Sequence, residues 1–114
     1  MIQAELVFDE VGLLRSCRLQ GHAGAGKEGS DIVCAAVSVL TRTIVMVLSG
    51  REGITIRGSI PEQGDFSLET EYTAEGRDFL AGAGDFLTEG LLSVSAEYPK
   101  NCKVIIERRN FYGA

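Results

Sequence analysis

The sequence predicts a single α+β domain in which a mixed or antiparallel sheet packs with two helices in the order ββαββαβ. Three observations carry that expectation: stretches in which apolar residues alternate with period two, one long apolar run, and a later stretch with apolar spacings of three and four. The chain has 114 residues, of which 45% are hydrophobic, enough for one interior and too few for two. Charged residues make up 24% and mean hydropathy is +0.10, which excludes a disordered chain lacking the apolar surface to offset chain entropy.

In the first segment Ile2, Ala4, Leu6 and Phe8 alternate with Gln3, Glu5 and Asp9, a half-buried strand with Val7 out of phase. Gly12 marks a turn, and Leu13, Cys17 and Leu19 share one parity in a second strand, so the two form an antiparallel hairpin. A glycine-rich loop follows, from Gly21 to Gly29. The run from Ile32 to Ser49 is too long for a strand and too continuously apolar for a surface helix, so it reads as a largely enclosed helix stopped by Gly50. Ile54, Ile56 and Ile60, then Phe66, Leu68, Thr70 and Tyr72, alternate with polar residues in two strands joined around Pro61 to Gly64.

Phe79, Leu80, Ala83, Phe86, Leu87, Leu91 and Val94 then recur at helical spacing. Gly76, Gly82, Gly84 and Gly90 each weaken that helix by about 1 kcal/mol relative to Ala. So many of them predict close packing against a neighbour. Tyr98-Pro99 ends the helix, Cys102 to Glu107 forms the last strand, and Arg108 to Ala114 is left as a tail. The open edges of such a sheet invite pairing with a second copy, so a homodimer is expected.

Eleven basic against sixteen acidic side chains give a net charge of −5, which argues against direct binding of nucleic acid, where Lys and Arg supply most of the affinity. The apolar run from Ile32 to Leu48 contains Ser38, Thr41, Arg42 and Thr43 and is too polar and too short to span a bilayer, so no membrane partner is expected. The first residues, Met1-Ile2-Gln3-Ala4-Glu5, carry no secretory signal, which makes the cytoplasm the expected compartment. No repeat, low-complexity tract or domain boundary stands out. Cys17, Cys34 and Cys102 are odd in number and form no CxxC pair, which fits reduced thiols.

One constellation carries chemistry. His22, the only histidine, opens the glycine loop twelve positions before Cys34. Asp31, or Ser30 beside it, is a preferred helix N-cap, and counting from Asp31 puts Cys34 in the first turn, among backbone N–H groups without helical partners. There the positive end of the helix favours a thiolate. A neutral imidazole accepts the thiol proton and later returns it to a leaving amine. Gly21, Gly24, Gly26 and Gly29, with Ala23 among them, allow the loop to fold His22 over the helix start and to admit an extended peptide. Free N–H groups at the same helix end would receive the oxyanion of a tetrahedral intermediate.

Blander assignments compete at several of these positions. Cysteine in an apolar helix is usually core, and Cys17 and Cys102 are read as core or structural residues. Asp31 is either a cap or an orienting partner for His22. Ser38, one turn after Cys34, either hydrogen-bonds near the sulfur or substrate or back-bonds to the helix carbonyl four residues earlier. Zinc held by Cys17, His22, Cys34 and Cys102 lacks paired short spacings, so no metal site is assigned. The GxGxxG-like spelling Gly24 to Gly29 lacks the acidic partner of a dinucleotide site, and no cofactor is expected.

The string Gly21-His22-Ala23-Gly24, followed by Gly29-Ser30-Asp31-Ile32-Val33-Cys34-Ala35-Ala36-Val37-Ser38, closely resembles the ribosomal-processing cysteine protease family (Prp, or YsxB-like). Glu97-Tyr98-Pro99, the length and the element order resemble it too, so that the likeness covers essentially the whole chain. The resemblance implies a homodimeric cytoplasmic endopeptidase that removes a short N-terminal extension from a large-subunit ribosomal protein, cutting after an aromatic residue. It places the family nucleophile on Cys34 and the family base on His22, with Asp31 and Ser38 at further motif positions. The alternative is a non-catalytic ribosome-associated module that grips or assembles with a peptide without cutting it.

Overall fold

The computed structural model of the chain describes residues 1–21, 28–62 and 65–111, with the side chains of all of these except 28–31 and 59–62. Two hairpins build most of the sheet. Strands β1 (Ile2–Phe8) and β2 (Leu14–Gln20) form the first, and β3 (Ile54–Glu62) and β4 (Asp65–Tyr72) the second. Helix α1 (Glu28–Leu48) lies between the hairpins in sequence, and α2 (Arg77–Glu97), entered through a 3-10 turn at Ala74–Gly76, leads to β5 (Cys102–Arg108). The strand order is β3-β4-β2-β1-β5. Every neighbouring pair is antiparallel except β1 with β5, which run parallel in unbroken register from Ile2 opposite Cys102 to Phe8 opposite Arg108. The sheet is therefore mixed, as a helical crossover into β5 requires.

Period-two alternation separates the faces of the sheet. Ile2, Ala4 and Leu6 of β1, Cys17 and Leu19 of β2, Phe66 and Leu68 of β4 and Cys102 of β5 are buried in one core cluster with Val33, Val37, Ile44 and Leu48 of α1 and Leu80, Leu87 and Leu91 of α2. The helices thus form a second layer against one face of the sheet. Close approach of α2 to the sheet and to α1 accounts for part of its glycine content. A Cβ on Gly84 would stand 3.0 Å from the Leu14 Cβ, and one on Gly90 2.7 Å from a Leu40 methyl, whereas one on Gly82 would meet nothing.

Two expectations need correction. Helix α1 starts at Glu28, ahead of the Ser30 or Asp31 cap, so Ser30 and Asp31 are helical residues and Gly29 belongs to the helix rather than the loop. Glu28 and Asp31 are then both in the first turn, where negative charge is favoured by the helix dipole. The other correction concerns Asp9, which is not on a wet face: it is fully buried. Its Oδ1 accepts from the backbone N–H groups of Val11 and Leu13 at 3.1 and 2.9 Å, closing the β1–β2 turn. Beside it Val7 pairs with Ser16 but Phe8 with Leu14, so Arg15 is the extra residue of a β-bulge. The bulge turns Leu14 into the core, while Val7 keeps the parity of Gln3 and Glu5 and lies on the helix-free face with Arg15 and Phe111 around one cavity.

Candidate active site

The end of the sheet where β1, β4 and β5 begin and β2 finishes is also where the chain leaves for α1. Gly21 makes that exit with φ +90°, the left-handed region, and its missing side chain matters twice over: a Cβ there would stand 2.5 Å from the Met1 carbonyl oxygen. Beside this exit a depression of about 420 Å³ is lined by Arg18, Leu19, Gln20, Asp65, Phe66 and Ser67. His22, Ala23, Gly24 and Gly26, which complete the proposed loop, lie outside the described residues.

Cys34 is the seventh residue of α1, not a first-turn residue. At a rise of about 1.5 Å per residue it stands about 9 Å along the axis from Glu28, and a residue this far in has its own N–H bonded within the helix. The orphan N–H groups belong to residues 28–31, a turn earlier, so they do not surround the sulfur. Dipole stabilisation falls off within the first turn, so the helix end is not what distinguishes this thiol.

Exposure does distinguish it. Cys34 is half-buried against the edge of the core, whereas Cys17 and Cys102 are buried. Burial pushes the Cys17 thiol up to about 12, and burial also raises that of Cys102. Of the three thiols Cys34 is therefore the most accessible. Ser38 follows one helical turn later and is half-buried as well. Its carbonyl accepts from the Thr41 hydroxyl at 3.2 Å and from Arg42 Nε at 3.3 Å, so this part of α1 is tied by side chains as well as by the backbone ladder.

Among the described residues no group of three or more His, Cys, Asp or Glu side chains gathers in a way that could hold a metal ion. No helix among them is long and apolar enough to cross a membrane. A buried polar cluster, unforeseen from the sequence, occupies the opposite end of the sheet. Arg15 Nε donates to the Thr70 carbonyl at 2.9 Å, its guanidinium lies 3.8 Å from Asp9 and 4.3 Å over the Phe111 ring, and the Tyr72 hydroxyl donates to Asp9. The only local signal was the Asp9 to Gly12 turn. A cavity of about 540 Å³ opens there, on the helix-free face and away from Cys34.

Residues 1–103 match the family model described as cysteine protease Prp. No curated protein gives a significant match. Among solved structures, SMU.848 from Streptococcus mutans is 28% identical, with a TM-score of 0.76 and 95% of each chain covered. The ribosomal processing protease Prp from S. aureus, solved in complex with a substrate peptide, is 21% identical, with a TM-score of 0.78 over 93% of this chain and 99% of that one. The same S. aureus protein with a covalently linked product peptide superposes equally well.

Proposed function

The chain belongs to the cysteine protease Prp family, and from that premise we propose that it is an endopeptidase with Cys34 as nucleophile and His22 as general base and acid. The observation that carries the assignment to Cys34 is its half-exposed position beside two buried thiols, on the helix that follows the only histidine. That the similarly folded S. aureus protease holds a covalently linked product peptide supports the same reading.

His22 takes the Cys34 proton, and the Sγ attacks the scissile carbonyl carbon. As the tetrahedral intermediate collapses, the C–N bond breaks and His22 delivers that proton to the leaving amine, leaving a thioester on Cys34. The imidazole then draws a proton from water, whose oxygen adds to the thioester carbonyl. The C–S bond then breaks, the Cys34 sulfur takes the proton back from His22, and the carboxylic acid product leaves and ionises in solvent, which restores the thiol and the neutral ring. Thiol, imidazole and water supply the whole reaction, so it calls for no cofactor. Ser38, one turn beyond the sulfur, is proposed to support it, and Asp31 to act near the loop rather than as a cap. Gly21 fixes where the loop leaves the sheet.

The substrate is proposed to be the N-terminal extension of a large-subunit ribosomal protein, cut in the cytoplasm by a homodimer. Ribosomal-protein termini are basic, and a net charge of −5 on the enzyme suits them. Mass spectrometry of a peptide spanning the extension, incubated with wild type, Cys34→Ala and His22→Ala, tests the reading. Cleavage by wild type alone is expected. Unchanged cleavage by either variant ends the dyad assignment, and binding without cleavage by wild type favours a peptide-binding module.

A further inference from the structure

Cross-strand register lines up one row of side chains over the helix-free face of the sheet. Arg57 of β3 stands opposite Glu69 of β4, Glu69 opposite Ser16 of β2, Ser16 opposite Val7 of β1, and Val7 opposite Glu107 of β5. The middle of the row, Ser16 and Val7, is short. Long side chains stand at its two ends: Arg57 at one, and at the other Arg109, whose Nη2 is 2.7 Å from Glu107. Over this row lies the cavity of about 540 Å³, and Arg15, Arg57 and Arg109 all line it. Three guanidinium groups from separate parts of the chain thus converge on one cavity in a protein of net charge −5.

Arg15 is the most tightly held of the three. Its side chain is 13% exposed, its Nε donates to the Thr70 carbonyl at 2.9 Å, and the Tyr72 and Phe111 rings lie 5.7 and 4.3 Å from its guanidinium carbon. Its Nη1 is nevertheless buried without a hydrogen-bond partner among the described residues, with Asp9 Oδ2 3.8 Å away. A buried charged donor left without an acceptor is costly, so this place is one acceptor short.

We propose that this cavity is a second ligand site, separate from the thiol, for a small molecule carrying an oxyanion, a carboxylate or a phosphate, on an aromatic or other apolar body. The planar guanidinium fork matches the oxygens of either group. Arg57 is free to turn to such a ligand, because its contacts with Glu69 and Glu71, at 3.4 and 3.8 Å, are exposed pairs of little strength. Phe111 supplies an apolar wall and also covers Arg15. Its ring contact is weaker than a hydrogen bond to a charged group, so an oxyanion displaces the ring and takes up Nη1. Buried Val7 gives the apolar body its floor, and the volume falls within the usual range of small-molecule pockets. Arg109 and Phe111 lie beyond the residues matched to the peptidase family, so the site is not one of the features that relate the chain to it.

The test does not depend on peptidase activity. The full ¹⁵N-labelled chain is titrated with phenyl phosphate and, separately, with benzoate, and amide shifts are followed by NMR. At least one should give saturable shifts at Ser16, Arg57 and Phe111 and leave the amides around Cys34 unmoved. Saturation by phenyl phosphate alone identifies a phosphate ligand and by benzoate alone a carboxylate, while both together support the shared chemistry. Benzyl alcohol, similar in size but uncharged, should shift nothing. Arg57→Gln combined with Arg109→Gln, both exposed, should weaken binding about tenfold or more with an unchanged far-UV circular dichroism spectrum. Arg109→Gln alone should weaken it measurably should the double variant fail to fold. No saturable shift with either anion, shifts centred on another surface, equal binding of benzyl alcohol, or undiminished binding by a folded variant would overturn the proposal.

Discussion

Gly21 packs its α-carbon against the Met1 carbonyl, so closely that the end of β2 and the start of β1 leave no room for a side chain between them. The contact fixes where the loop carrying His22 departs from the sheet. Gly21→Ala adds both a left-handed backbone penalty and a steric conflict with backbone, and is expected to cost about 1–3 kcal/mol of stability. Denaturant unfolding checks the stability, and kcat/KM on an extension peptide should fall further than that loss of folded protein explains.

A second relationship sets the behaviour in acid. Burial alone would raise the Asp9 carboxyl, but the Tyr72 hydroxyl, the Leu13 and Val11 N–H groups and the Arg15 charge outweigh it and hold it below the ordinary aspartate value. A group depressed on folding stabilises the fold above its unfolded value, about 3.9, and that contribution fades as pH falls through the lower folded value. Thermal unfolding between pH 6 and strongly acid solution should therefore show a loss beginning near about pH 4. Asp9→Asn should flatten that part of the curve and lower stability above it. Tyr72→Phe, which leaves the carboxylate one donor short, should cost about 1–3 kcal/mol at neutral pH.

The three thiols should separate on alkylation. Iodoacetamide near neutral pH is expected to modify Cys34 first, with Cys17 and Cys102 reached only after denaturation, because burial both shields them and raises their thiols. Peptide mapping over time reads the order. Equal rates at the three positions would contradict the exposure argument.

How much of this was legible in the sequence differs from element to element. Strand and helix order follows from apolar periodicity, and Cys17, Leu19, Phe66 and Leu68 face the core as their parity requires. The start of α1 is not legible, because Ser30 and Asp31 spell a cap while the helix begins with Glu28, which moves Cys34 out of the first turn. Asp9 reads as one more polar alternant, since its partner Tyr72 lies 63 residues away and no local pattern announces a contact of that range. Likewise composition reads α1 as enclosed, but Ile32, Val39 and Met46 stay exposed in a single chain. Cys34 and His22 stood out because a lone histidine and a glycine loop precede an apolar helix.

An enzyme of net charge −5 acting on a basic terminus should lose efficiency as salt screens the attraction. kcat/KM for a basic extension peptide is expected to fall steadily with ionic strength, mainly through KM. For a peptide with its lysines and arginines replaced by neutral residues the dependence should vanish. A salt-independent kcat/KM for the basic peptide would contradict the electrostatic part of the substrate assignment.

The nucleophile itself is tested most directly by catching the covalent step. Enzyme mixed with excess extension peptide, acid-quenched before one turnover and examined by intact mass and peptide mapping, should carry the N-terminal fragment as a thioester on Cys34. Cys34→Ser should carry no thioester. Peptide cleaved by the wild type with no adduct at any time point, or with the fragment on Cys17 or Cys102, would contradict the account.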